Sequence, residues 1–154
     1  TTLRAFALAL EHRTDMILNI VGDGSEMKNL KETAGILGIS NYVNFAGSVV
    51  DPTPYFLDGD VFIHSSFYDG MPMVLIEALS FGISIISTDT PHGPKEILSN
   101  GKFGDIVPIG DIKKIAELIL LRLEEPIPKE IIFARARNYS IEQAATNYIK
   151  LFDE

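Results

Sequence analysis

The chain has 154 residues, no cysteine and a formal net charge of −8. A chain of this length fits one domain and buries roughly 68–70% of the surface of its unfolded form, so a proper core is available. The lack of cysteine excludes a disulfide framework and a cysteine-ligated zinc site, and the acidic charge argues against a surface that follows nucleic-acid phosphates.

Strands and helices are predicted to alternate along most of the chain. Helices are indicated by apolar residues at helical spacing, and strands by short β-branched runs such as 83–87. Asp23 or Ser25 is predicted to cap the second helix, which Gly38 ends. The predicted elements are, in chain order, helix 3–11, strand 16–21, helix 25–37, strand 42–46, helical turn 53–57, strand 60–64, helix 72–82, strand 83–87, a short helix from 94, strand 105–108, and helices 111–124, 129–138 and 140–152.

This alternation predicts a single α/β domain over 1–154. The expected architecture is a Rossmann-like three-layer αβα sandwich with a parallel sheet, followed by C-terminal helices. Ligands of such sheets bind beyond the carboxyl ends of the strands. We therefore expect the loops 22–24, 65–72 and 89–95 at one edge of the sheet.

The loop at 65–72 and the helix after it carry the strongest functional signal. Gly70 allows a ligand to approach the backbone closely, and Pro72 fixes φ at a first helical position. The amides that follow are unpaired donors at the positive end of the helix dipole. The sequence therefore predicts an anion site at this helix start, with phosphate as the obvious ligand.

Two carboxylates flank the same helix start. Asp69 precedes it, and Glu77 lies in its second turn with a side chain that leans back toward the N-terminus, so both can face one ligand. Acceptor-only groups beside a phosphate require hydroxyl donors, which a sugar or ribose supplies. The alternatives are a turn aspartate and a solvated glutamate. However, the helix is apolar nearly all round, which predicts that it is buried on most sides and that the Glu77 carboxylate needs a partner.

Four further positions have both a functional and a structural interpretation. Gly22 and Gly24 follow a strand, where turn glycines are common, but they could lie close to a nucleotide. The Ser66 hydroxyl could bind a base or satisfy the nearby backbone. Lys95 could approach a diphosphate or be a solvated residue at a helix start. His64 is predicted to be packed or capping, and no second ligand at zincin-like spacing makes it a metal site.

These residues carry a family resemblance. The stretch 69–78 resembles the Glu-x7-Glu signature of retaining nucleotide-sugar glycosyltransferases with the GT-B architecture, the superfamily that includes glycogen and sucrose synthases. Asp69 stands where the family usually has the first Glu, so the acid is kept on a shorter side chain. The other blocks in the family's order and approximate spacing are 20–24, 43–47, 87–89 with 93–98, and 104–108.

The resemblance implies the donor-binding, C-terminal half of such an enzyme. This half would help to move a sugar from a nucleotide-diphosphate sugar to a glycan, lipid or small-molecule acceptor without a metal ion. Glu77 would hold ribose hydroxyls and Asp69 would approach the donor sugar. UDP-sugars are the expected donors, followed by GDP-sugars. The implied donor-binding residues besides the two acids are Gly22, Gly24, Ser66, Gly70, Met71, Pro72, Met73, Val74 and Lys95.

The resemblance also implies a partner domain. The chain begins inside a predicted helix, which in the family follows a strand and a basic pair, so we expect a fragment that works with its own N-terminal domain and is inactive alone. The alternatives are a sugar-nucleotide epimerase and a non-catalytic domain on the same fold.

We expect no nucleic-acid partner. The apolar runs are interrupted by charge well before about 18 residues, so we expect no membrane insertion, and a cytoplasmic setting with at most peripheral membrane contact through the missing half.

Overall fold

The helices and strands follow the predicted order. The computed structural model describes residues 1–152, and each predicted element is present with ends that shift by at most a few residues. The elements are α1 (Thr2–Leu10), β1 (Leu18–Val21), α2 (Met27–Ile36), β2 (Val43–Gly47), α3 (Thr53–Leu57), β3 (Val61–His64), α4 (Met73–Phe81), β4 (Ser84–Thr88), α5 (Pro94–Ile97), β5 (Asp105–Val107), α6 (Ile112–Glu124), α7 (Lys129–Ala136) and α8 (Ile141–Phe152), with short 3-10 turns at Ser40–Tyr42 and Arg137–Tyr139.

The start of α2 differs from the prediction. Glu26 occupies the N-cap position in a helical conformation, and no side chain caps the helix. The Asp23 carboxylate instead accepts a hydrogen bond from the neighbouring Gly24 amide at 2.8 Å. The predicted cap by Asp23 or Ser25 is therefore wrong, because a turn that pairs the Met27 amide with the Gly24 carbonyl precedes the helix.

The sheet lies between two layers of helices, as predicted. β3, β4 and β5 pair in parallel, and every residue of β4, the middle strand, is buried. Ile85 and Ile86 are neighbours in β4 but belong to different apolar clusters, because successive side chains of a strand point to opposite faces. One cluster contains residues of α1 and α6, and the other contains residues of α4 and α7. The predicted three-layer α/β architecture is confirmed.

A slot separates β1 from β3. β1 pairs in parallel with β2 only, and β3 pairs with β4 only, so each has one edge without a strand partner in the described chain. A cavity of about 1260 Å³ lies here, and residues 18–21 and 61–63 line it. Gly22, Ser65 and Glu77 also line this cavity. The slot therefore reaches the carboxyl ends of the strands.

The last helix, α8, leaves an apolar surface uncovered. No residue of α8 is buried, although several large apolar side chains are spaced to share one face of the helix. None of the helices within residues 1–152 is both long and apolar enough to cross a membrane. The exposed apolar residues of α8 are Ile141, Tyr148, Ile149, Leu151 and Phe152.

Candidate functional site

Two loops meet at the carboxyl edge of the β3–β5 sheet. One joins β3 to α4 and the other joins β4 to α5. Gly93 in the second loop has φ +89°, and a Cβ added there would lie 2.8 Å from the Gly70 carbonyl oxygen and overlap the Pro72 ring. The loops are therefore in direct backbone contact, and this contact requires a glycine at position 93.

The start of α4 presents unpaired backbone donors. The helix begins at Met73, with the buried Pro72 as its N-cap in an extended conformation. The Leu75 amide donates to the Pro72 carbonyl at 2.9 Å, whereas the amides of Met73 and Val74 make no hydrogen bond with residues 1–152. Donors left free at the positive end of a helix attract an anion, and a phosphate at this helix start stays a prediction.

Gly70 is a glycine that the structure itself does not require. Its φ lies outside the left-handed region, and an added Cβ would meet no atom within 4 Å. The residue is exposed next to the free amides of α4. Neither backbone conformation nor packing within the described chain therefore requires the absence of a side chain here.

Glu77 lies one helical turn beyond Met73 and is exposed. Leu75, Ala78 and Leu79 face the core, whereas Met73, Glu77 and Ser80 share the uncovered side of α4. The expectation that apolar neighbours enclose the Glu77 carboxylate is therefore wrong, because no described element covers this side of the helix. Glu77 and Val74 both line the cavity between β1 and β3. No residue in 1–152 forms a hydrogen bond with the Glu77 carboxylate.

Asp69 is held by a histidine that the sequence did not assign to the site. The Asp69 side chain is 31% exposed, and its Oδ2 lies 3.1 Å from Nε2 of His64, whose side chain is only 10% exposed. The other ring nitrogen, Nδ1, lies 2.9 Å from the Ser87 hydroxyl. His64 was predicted only to be packed or capping. A histidine that ends a strand, a few residues before an acidic turn residue, is the available sequence signal for this pair.

The Ser66 and Lys95 side chains are both engaged within the protein. The Ser66 hydroxyl donates to the Tyr68 carbonyl at 2.7 Å, in agreement with the interpretation that it satisfies the backbone. The Lys95 ammonium lies 2.7 Å from Oδ2 of Asp89 and is more than half exposed. Lys95 lies in α5, and this ion pair holds its ammonium against Asp89 in the loop between β4 and α5, at the same edge of the sheet.

The Gly22 loop reaches this edge from β1. Gly22 has φ +124°, and its amide donates to the Gly47 carbonyl at the end of β2 at 2.7 Å. An added Cβ at Gly22 or Gly24 would meet no atom within 4 Å. Gly22 thus has a conformational reason to be glycine, whereas Gly24 has none within the described chain.

Comparison with known proteins shows that the chain is similar to part of several glycosyltransferases. The family model "Glycosyl transferases group 1" matches residues 1–144. The lipopolysaccharide core biosynthesis glycosyltransferase LpsE of Rhizobium meliloti is 36% identical over 100 residues, which are 65% of this chain and 29% of that protein. An α-1,4-N-acetyl-D-galactosaminyltransferase of Campylobacter jejuni, which acts on a GalNAc-containing diNAcBac-PP-undecaprenol, is 30% identical over 139 residues, 88% of this chain and 38% of that protein.

Solved structures with the same fold are glycosyltransferases as well. The lipopolysaccharide outer core galactosyltransferase WaaB matches with a TM-score of 0.83 and 23% identity over 99% of this chain and 45% of its own. The pneumococcal O-GlcNAc transferase GtfA, solved with UDP and GlcNAc, matches with a TM-score of 0.82 and 20% identity over 99% of this chain and 32% of its own. This chain thus spans less than half the length of these proteins. Because the family model extends over nearly the whole sequence, the chain belongs to the glycosyl transferases group 1 family.

Proposed function

We propose that this chain is the donor-binding, C-terminal half of a retaining GT-B glycosyltransferase that uses a nucleotide-diphosphate sugar. The observation that carries the proposal is the start of α4, where the free amides of Met73 and Val74 lie between two acidic residues of the family signature, Asp69 and Glu77. Such a start suits a ligand that is anionic at one end and rich in hydroxyl groups at the other.

The diphosphate is assigned to the amides at the start of α4. Gly70 leaves room for the phosphate to approach the backbone, and Met71, Pro72 and Val74 shape the same turn. When the bond from the anomeric carbon to the diphosphate breaks, negative charge grows on the leaving oxygen. Fixed amide dipoles stabilise that charge without reorganisation, which can replace a metal ion. The Lys95 ammonium, although paired with Asp89, adds positive charge at this edge.

The two carboxylates are assigned to the two sugar moieties of the donor. Glu77 is exposed on the open side of α4 and has no protein partner within residues 1–152, so it can accept hydrogen bonds from ribose hydroxyls. Asp69 is assigned to the transferred sugar. Gly22, Gly24 and Ser66 lie along the remaining edge, on the side of the nucleotide. The complex of GtfA with UDP and GlcNAc supports UDP as the first nucleotide to test.

The acceptor is assigned to a second domain of the longer protein. The apolar side chains exposed on α8 need a covering surface, since patches of this kind mark interaction sites. The exposed side of α4 would form one wall of a cleft, and the second domain would form the other. Without that domain we expect the chain to bind a donor weakly and to transfer nothing.

The slot between β1 and β3 is assigned to a parallel strand from the residues that precede Thr1. Thr2, in the first turn of α1, lies at the carboxyl end of the slot, with its hydroxyl 2.6 Å from that of Ser65. A strand in the slot would therefore lead directly into α1. It would pair with both free strand edges and join the five strands into one sheet.

Extending the chain with its own upstream residues should therefore stabilise it. We expect a gain of about 2 kcal/mol or more in the free energy of unfolding, from burial of apolar side chains and pairing of the free strand edges. The melting temperature would rise by roughly 5 °C. Hydrogen exchange should slow at amides of both Leu18–Val21 and Val61–His64. Unchanged exchange in both strands would contradict the assignment.

Glu77→Ala is the direct test of the donor site. In the complete enzyme, this change should lower kcat/KM for the donor at least tenfold, about 1.4 kcal/mol, because ribose hydroxyls lose their acceptor. UDP affinity, measured by calorimetry, should fall in parallel. Addition of EDTA should leave the affinity of the unmodified protein unchanged.

The matched control is Glu124→Ala. Glu124 is also an exposed helical glutamate, but it ends α6 and so lies at the opposite edge of the sheet. Both variants change the net charge equally, so a general electrostatic effect would appear in both. Equal donor affinity in Glu77→Ala and the unmodified protein, or UDP-induced chemical-shift changes that cluster away from Gly22, Gly70 and Glu77, would contradict the proposed site.

A further inference from the structure

We propose that His64 is a positioning residue for Asp69, and that Ser87 in turn positions His64. The inference rests on the proposed function, because Asp69 is there assigned to the transferred sugar. It identifies residues that determine how the sugar, rather than the nucleotide, is held.

The three side chains form a chain of hydrogen bonds from the sheet to the loop. His64 ends β3, and Ser87 is its register partner in β4. The Ser87 side chain is fully buried, and its hydroxyl lies 2.9 Å from Nδ1 of His64. Nε2 of the same ring lies 3.1 Å from Oδ2 of Asp69. The ring therefore connects a rigid central strand to a carboxylate on a surface loop.

The positions of the protons follow from the groups involved. An ionised carboxylate only accepts hydrogen bonds, so Nε2 must carry the hydrogen and donate to Asp69. Nδ1 then either accepts from the Ser87 hydroxyl in a neutral ring, or donates to it in an imidazolium while that hydroxyl donates to the Thr88 carbonyl 3.2 Å away. Both arrangements hold the ring in the same orientation. Asp69 receives a hydrogen bond in either case, and this bond fixes the side-chain rotamer.

The geometry leaves one oxygen of Asp69 for a ligand. Oδ2 is bonded to His64, whereas Oδ1 accepts no hydrogen bond from residues 1–152. The carboxylate is 31% exposed, beside the exposed backbone of Gly70. The adjoining loop is also anchored, because the Thr88 hydroxyl donates to the Ser66 carbonyl at 2.6 Å. Because His64 already fixes the Asp69 side chain through Oδ2, Oδ1 can accept a hydrogen bond from a sugar hydroxyl without a loss of side-chain entropy on binding.

The experiment compares His64→Leu and His64→Gln in the complete enzyme. UDP affinity is measured by calorimetry. Steady-state kinetics give kcat/KM with UDP-glucose, UDP-galactose and UDP-N-acetylglucosamine as donors. For the sugar that the unmodified enzyme uses, His64→Leu should lower kcat/KM about tenfold, because a misplaced group loses much of its orientation effect. UDP affinity should stay within about twofold, since UDP lacks the sugar that Asp69 contacts. His64→Gln should recover much of the loss, because its amide can still donate to Asp69.

Three further substitutions make the result decisive. His64→Leu should add little to the loss caused by Asp69→Ala, because both would remove the same contact. His12→Leu is the matched control, because His12 is an exposed histidine beyond the end of α1. If His64→Leu fails to fold, Ser87→Ala removes only a hydroxyl and should still lower kcat/KM about threefold with UDP affinity retained.

The outcomes separate this inference from the proposed function. A parallel fall in UDP affinity and kcat/KM would make His64 merely structural, and unchanged kinetics would remove its role; either result overturns the inference. Additive losses in the double variant with Asp69→Ala would do so as well. If the unmodified enzyme binds no UDP- or GDP-sugar and neither nucleotide diphosphate, the proposed function itself fails, and the inference fails with it.

Discussion

Gly93→Ala should be the most destabilising of the glycine substitutions at the candidate site. An alanine would have to adopt φ +89° with its Cβ 2.8 Å from the Gly70 carbonyl oxygen. The conformation costs about 1–2 kcal/mol, and overpacking against a rigid neighbour costs about 1–3 kcal/mol. We expect the free energy of unfolding to fall by roughly 2–5 kcal/mol in total, measured by denaturant unfolding. Donor affinity should fall too, because the displaced neighbour is the loop before α4.

Gly38→Ala separates the two causes. Gly38 has a similar φ of +70°, but an added Cβ there would meet no atom within 4 Å. This control should therefore show only the conformational cost, and donor affinity should be unchanged. Equal losses of stability in the two variants would mean that the loops around Gly93 and Gly70 do not press on each other, and would contradict the contact.

Gly70→Ala should lower activity strongly and leave stability almost unchanged. Its backbone conformation and its open surroundings both accept a methyl group, so the free energy of unfolding should stay within about 0.5 kcal/mol. In the complete enzyme the methyl group would occupy the space assigned to the donor. We expect kcat/KM for the donor to fall by about 100-fold, equivalent to about 2.7 kcal/mol of transition-state stabilisation. Steady-state kinetics and thermal unfolding of the same preparation provide the two measurements.

The control for Gly70→Ala is Gly35→Ala in α2. An added Cβ at Gly35 would meet only the Ser40 hydroxyl oxygen, at 4.0 Å. This substitution should stabilise the helix by up to about 1 kcal/mol and leave the kinetics unchanged. A Gly70→Ala enzyme with unchanged kcat/KM would show that no substrate group approaches this backbone. A large loss of stability would instead assign the glycine a role in folding.

Much of the fold was predictable because its signals are local. The run at 83–87 is apolar and β-branched, and it forms the fully buried β4. Gly82, predicted to end a helix, takes the left-handed conformation directly after α4. Alternation of such elements was enough to predict the parallel three-layer architecture, and hence the edge to which Gly22, Gly70 and Gly93 all belong.

The features of the candidate site that were not predictable depend on tertiary contacts between residues that are distant in the sequence or joined by an irregular loop. The apolar composition of α4 predicted burial on most sides, but composition does not say which side is left uncovered, and Glu77 lies on the exposed side. The pairing of His64 with Asp69 depends on the path of the loop between them. The contact of Gly93 with Gly70 joins two loops that are separated by a helix and a strand, so no sequence pattern specifies it.

The interruption between β1 and β3 has a mechanical consequence. Within residues 1–152 no backbone hydrogen bond of the sheet crosses it, so the packing of helices and side chains holds the two groups of strands together. Without a bridging strand we expect each group to open as a separate cooperative unit. In the proposed arrangement a nucleotide would contact the Gly22 loop on one unit and the start of α4 on the other. Without the bridging strand, part of its binding energy would be spent on locking the units together, so extension of the chain by that strand should also raise affinity for the nucleotide.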